Sequence, residues 1–312
     1  MKLIKSKFEI IEQQAGLEGI YKAIEQAGRT CYKSENLITE DSAKGFVDRM
    51  INNKHYAMLE HGTVYLSMFV DYRIQEEDND WYKYSLNKYS KLGHIYKVGS
   101  DSFMAITTNL RVLVENGWMD DLKYLCEPTE YHEKRVCIRF TCDVGISREF
   151  NRHRVNSMAE QSTRYCNYSN DKFSNELAII RPTEISEGEC KEAINKWTFV
   201  NNYDNDEDTA FRYMCDRISY TDDDAMFGAV DTWLFSNLAC QWSYMRLLKL
   251  GWKPQQARRV LPLDLQTELV HTVFVSDWEH FFLLRDDTHA HPQAIELAHP
   301  LKEEFIKREY IK

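Results

Sequence analysis

A chain of 312 residues with 43% apolar side chains can bury a sizeable core, and no Pro/Gly/Ser-rich linker divides it. Its net charge of −10 excludes a general nucleic-acid surface, which must be basic, but leaves room for a local cationic pocket. No apolar run reaches the roughly 18 residues of a membrane span, and the eight cysteines form no CxxC pair and no zinc-finger spacing, so a soluble cytoplasmic protein with reduced, mostly buried thiols is expected.

Residues 8–27 begin as a strand (FEII) and become a helix (LEGIYKAIEQAG), which Gly28 is expected to end as a C-cap. Residues 41–53 read as a second helix, with Asp41 and Ser42 at its start and Phe46, Met50 and Ile51 on its apolar face. His55, Glu60 and His61 (HYAMLEH) are metal-ligand types, yet their spacing fits no standard zinc site, and polar turn residues are the plainer reading. Residues 64–70 suit a strand. Within residues 71–134, 76–80 form a solvated acidic loop, 82–96 are rich in Tyr and Lys, and 103–116 have a helical look. Tyrosine with lysine can stack nucleobases, but a surface segment explains that composition more simply, and no chemistry is assigned to it.

Residues 135–143 alternate as a half-buried strand and deliver the chain into its most unusual stretch, 147–168, SREFNRHRVNSMAEQSTRYCNY. Four arginines, Arg148, Arg152, Arg154 and Arg164, fall within 17 residues there, with no lysine. Between Asn151 and Arg164 the only clearly apolar residues are Val155, Met158 and Ala159, too few for the stripe of a core helix. A guanidinium fork grips phosphate or carboxylate through two parallel hydrogen bonds, which an ammonium cannot do. The bland alternative is a solvated loop with internal ion pairs. Ser162 reads as a phosphate donor rather than a nucleophile, because no base is evident beside it.

Residues 172–225 are weakly patterned, with acidic loops at 201–208 and 221–224. Residues 226–250 form the strongest helix, with Leu234, Leu238, Trp242, Met245 and Leu248 at helical spacing and Gly251 as its stop. Pro254 opens the short segment PQQARRVL, where Arg258 and Arg259 sit beside apolar neighbours. A strand is expected at 268–275. Ser276 and Glu279 have capping-box spacing for a helix through Trp278, Phe281 and Phe282 to Arg285, which would share a face with His289 if the helix continued. His289 and His291 lack a third ligand, so no metal is expected.

Arg152-His153-Arg154, then seven residues, then Ser162, Arg164 and Tyr165 resemble the signature of the flavin-dependent thymidylate synthases. Arg29-Thr30-Cys31-Tyr32, Ala257-Arg258 followed by Val260-Leu261-Pro262-Leu263, and the run FFLLRDDTHA resemble further family motifs in the right order. Ala159 replaces a small polar residue, and Phe274 and Ser276 replace the Asn-x-Arg with which members hold FAD. The resemblance implies an α/β fold, an antiparallel or mixed sheet flanked by helices, in one domain over 1–312 with an inserted segment at 71–134. It implies a homotetramer with FAD sites between subunits. The implied reaction is reductive methylation of dUMP to dTMP, with methylenetetrahydrofolate as carbon donor and FAD and NADPH as reductants.

By position the resemblance carries dUMP contacts to Glu149, Arg152, Glu160, Gln161, Ser162, Thr163, Arg164, Arg258 and Arg285, with Arg285 the catalytic cation. FAD contacts fall on Arg152, His153, Arg154, Glu160 and His280, while His55, Glu60 and His61 lie near flavin and folate. Two alternatives stay open: a modified-pyrimidine product (5-hydroxymethylation, or dCMP as substrate), and a non-catalytic nucleotide-binding protein. Neither nucleic acid nor membrane is expected as a partner.

Overall fold

Strand β6 (Arg135–Asp143) spans the range read from its alternation and forms the middle of the main sheet. That sheet is antiparallel, in the order β2 (Lys7–Ile11), β6, β9 (Gln266–Phe274), β7 (Ser157–Glu160). A second antiparallel sheet runs β3 (Thr63–Phe69), β5 (Asp101–Asn109), β4 (Lys91–Val98), and a parallel pair joins β1 (Lys2–Ile4) to β8 (Ala178–Ile180). With its helices this is a mixed α/β architecture, as expected. The computed structural model describes residues 1–198, 215 and 228–312. The acidic loops expected at 201–208 and 221–224, and the first residues of the helix expected at 226–250, lie outside them; the rest of that helix is α7 (Ala229–Lys249).

One face of the main sheet, Val136, Ile138, Phe140 and Cys142 with Leu269 and Val273, packs on α5 (Val144–Phe150), α9 (Val275–Arg285) and α10 (Pro292–Lys307) through Phe150, Trp278, Phe281, Phe282 and Phe305. On the other face, Ala159 and Val270 meet Ala27 of α1 (Gly16–Tyr32). The second sheet shares a separate core with Ile20 and Ile24 of α1 and with Phe46 and Val47 of α2 (Ser42–Asn52).

Three local expectations are corrected. Helix α1 runs past Gly28 to Tyr32 and closes on Lys33 in the left-handed region, φ 47°. Gly28 is there for clearance: an added Cβ would lie 2.4 Å from Cζ of Phe46, so the glycine lets α1 and α2 approach. Residues 103–109 are strand, because β5 is the central strand of its sheet, with β3 on one side and β4 on the other. The helix begins only at α4 (Leu110–Asn116), where the Asn109 side chain accepts from Val112 N–H. Finally, α9 starts one residue before the expected cap, with Phe274 as N-cap, and Ser276 Oγ donates instead to Glu133 Oε1 at 2.5 Å. Helix α9 also ends at Arg285, so His289 does not share its face; it pairs with Asp287. No helix among the described residues is long and apolar enough to cross a membrane.

Candidate active site

Strand β6 ends at Asp143, whose carboxylate accepts from Ile146 N–H at 2.8 Å and starts α5. Ile146 and Phe150 anchor α5 in the core, leaving Arg148 and Arg152 in solvent and Glu149 half-buried. The polar stretch after it turns through 151–156 and forms β7, an edge strand of the main sheet.

Arg285, the last residue of α9, closes onto α5 and the turn. Its guanidinium donates to Glu149 Oε2 at 2.7 Å, to Glu149 O at 2.5 Å and to His153 Nε2 at 3.1 Å. A guanidinium only donates, so Nε2 of His153 is the unprotonated nitrogen and Nδ1 carries the hydrogen. Burial, followed by the Arg285 charge, lowers His153 to about 4, so the ring is neutral near pH 7 and does not repel the cation. The three donated bonds leave two of the five guanidinium N–H groups for a ligand. Exposed His280 lies one turn back on α9, with its ring 5.9 Å from that of His153.

Glu160, at the end of β7, is held by Ser147 Oγ at 2.7 Å, Asn151 Nδ2 at 2.9 Å and Thr267 Oγ1 at 3.3 Å. All three donate, so the Glu160 oxygens act as acceptors here. Beyond it the chain doubles back. Ser162 N–H donates to Cys31 O at 2.8 Å, its Oγ accepts from Arg164 N–H at 3.3 Å, and Arg258 Nη1 donates to Thr163 Oγ1 at 3.2 Å. Ser162, Thr163, Arg164 and Arg258 thus gather as hydroxyls and guanidiniums, while Gln161 is buried with Nε2 on Tyr168 Oη at 3.3 Å.

The predicted residues therefore flank β7: Glu149, Arg152, His153, His280 and Arg285 gather by the turn before it, Glu160 through Arg164 with Arg258 gather at its end, and Glu160 ties the two groups together through Ser147 and Asn151. His55, Glu60 and His61 form a third place. His55 is exposed, Glu60 pairs with Arg111, and buried His61 shares a hydrogen bond with Thr272 Oγ1 at 2.8 Å. Burial and the nearby Arg135 charge push His61 down to about 3. Ser147, Asn151 and Thr267 were not foreseen as holding Glu160. The four-residue step from Ser147 to Asn151, which puts both on one helix face, was the available signal. Burial pushes the thiols of Cys31, Cys126, Cys137 and Cys166 up to about 11, so none of these is a ready thiolate.

The sequence model of the thymidylate synthase complementing protein family matches residues 132–308, more than half of the chain. The chain belongs to this family. As a member of the thymidylate synthase complementing proteins it is an enzyme, a methyltransferase of thymidylate synthase type. The match contains both ends of β7 and all of α9, and so every residue of the two groups around that strand. No curated protein matches the sequence. Among solved structures, a UMP/dUMP methylase, PolB from Streptomyces cacaoi, bound with 5-Br dUMP, is similar at 16% identity over 98% of this chain and 93% of that chain, with a TM-score of 0.40.

For a flavin, the donor set fits in part. Arg154 is exposed and makes no ion pair or side-chain hydrogen bond among the described residues, and Arg152 has only a 3.8 Å pairing with Glu149. Both forks suit a pyrophosphate. Phe274 and Ser276 offer no comparable donor: the first is 8% exposed and the hydroxyl of the second is engaged by Glu133.

Proposed function

We propose that this chain is a flavin-dependent thymidylate synthase, converting dUMP to dTMP with a one-carbon unit from methylenetetrahydrofolate. Reduced FAD, itself reduced by NADPH, supplies the hydride when bound. The observation that carries this reading is the Arg285–Glu149–His153 arrangement, a fixed cation with unspent donors beside an acceptor. Uracil C5 is a weak nucleophile. Charge that develops on the ring as N3–H is shared with Glu149 is met by the two remaining N–H groups of Arg285, a preorganised donor set. The ring is thereby enriched at C5 without attack by a thiol, which agrees with the raised thiols.

Ser162, Thr163, Arg164 and Arg258 hold the nucleotide phosphate in this reading, Glu160 accepts from a sugar or base donor, and Arg152 and Arg154 take the FAD pyrophosphate. A homotetramer with sites between its subunits belongs to the same reading. The test supplies the purified protein with FAD, NADPH, dUMP and methylenetetrahydrofolate and reads the nucleotide product by mass. A product with the mass of dTMP is expected. A hydroxymethyl product, or turnover of dCMP alone, would replace the substrate or product assignment, and absence of any FAD binding would end the flavin reading.

A further inference from the structure

Strand β4 carries Lys91 out of the 71–134 segment and onto the start of α9. Its ammonium donates to Ser276 Oγ at 2.5 Å, Glu133 Oε1 at 3.1 Å and Asp277 Oδ2 at 3.2 Å, and lies 4.4 Å from the centroid of the Phe274 ring. Arg135 lies against the same ring, its guanidinium carbon 5.4 Å from the centroid. Phe274 is thus buried against two cations, which its aromatic face attracts. Arg135 continues the joint by donating to Glu60 O at 3.0 Å, and the Glu60 carboxylate is gripped by Arg111 of the same segment. Each delivered cation meets two carboxylates, Lys91 with Glu133 and Asp277, Arg111 with Glu60 and Glu115. The ammonium of Lys91, with three acceptors, has no donor left over for an anionic ligand.

We infer that Lys91 and Glu133 of segment 71–134 engage the side chains of Phe274 and Ser276 at the start of α9, and that the flavin is bound without contact to those two side chains. The flavin half rests on the function proposed above. The small Ser276 side chain leaves room for Lys91 and Glu133, and an arginine in its place would press a further cation against Lys91. The segment does not supply a substitute cofactor contact; it closes the place where one would be made.

The test titrates FAD against wild type, Lys91→Ala and Ser276→Arg, and follows amide exchange at Val275 and Ser276, whose N–H groups donate to Lys134 O at 3.0 Å and Glu133 Oε1 at 3.4 Å. Lys91→Ala is expected to bind FAD within about twofold of wild type and to exchange faster at those two amides. Ser276→Arg is expected to lower Tm without tightening FAD. A loss of about tenfold or more in FAD affinity on Lys91→Ala would make Lys91 a ligand contact and overturn the inference, as would a folded Ser276→Arg that binds FAD more tightly. Unchanged exchange in Lys91→Ala would remove the joint. Wild type that binds no FAD would end the flavin reading and the binding half of the inference, while the exchange result judges the joint by itself.

Discussion

Arg285 combines charge with shape: one planar fork reaches Glu149 through two of its nitrogens and His153 through the third. Lysine at this position keeps the charge but has no fork, so it cannot hold those partners and still direct donors at a ligand. Arg285→Lys is expected to lower single-turnover methylation by about 100- to 1000-fold, with a much smaller change in dUMP affinity. Equal losses in both would make Arg285 a binding residue only, and near wild-type turnover would remove it from the mechanism. The arginine itself is legible in the run FFLLR, but its partners are not: Glu149 and His153 lie 136 and 132 residues earlier in the chain, and no local pattern links them.

At the scale of elements, strands and helices with a strong period were readable and their ends were not. Strand β6 and helix α7 carry their own alternation or apolar stripe, so local sequence suffices. Gly28 misled because a glycine late in a helix resembles a stop, whereas its real constraint is the Phe46 ring from another helix. Gly28→Ala is therefore expected to destabilise the fold by roughly 1–3 kcal/mol, the usual cost of overpacking, although alanine is the better helix former. Urea unfolding measures this, and a more stable alanine variant would show that α1 and α2 can part without cost. The capping-box spacing at Ser276 failed for a similar reason: the hydroxyl had a better partner in Glu133, brought from outside the helix.

Across the whole molecule, three of the four buried histidines, His61, His153 and His271, set most of an acid limit, and burial lowers the fourth, His132, in the same direction. Burial holds His61 and His271 down to about 3 and His153 to about 4, so all three are neutral in the fold. Once unfolded they take up a proton below about 6.5. Their contribution is thus complete above about pH 6.5 and is lost as the pH falls toward the folded values. Between pH 6.5 and 5 each costs roughly 2 kcal/mol. The urea midpoint is expected to drop markedly from pH 7 to pH 5, and less so in His271→Gln. A midpoint that is flat over that range would show that the rings stay accessible to protons.

Chemistry carried by contiguous residues was determined by the sequence alone: the arginine-rich stretch 147–168, the strand that feeds it, the apolar helices, and the family to which their order points. Residue type and short-range spacing encode these, because hydrogen-bonding capacity and helical or strand periodicity are local properties. Tertiary structure decided which charges are spent and which are free. Glu60, Ser276 and Phe274 read as site residues or departures in the chain, and are engaged by Arg111, Lys91, Glu133 and Arg135 only after the second sheet docks. A charge acts over a few ångströms of space, and those ångströms are set by packing between segments 51 to 185 residues apart.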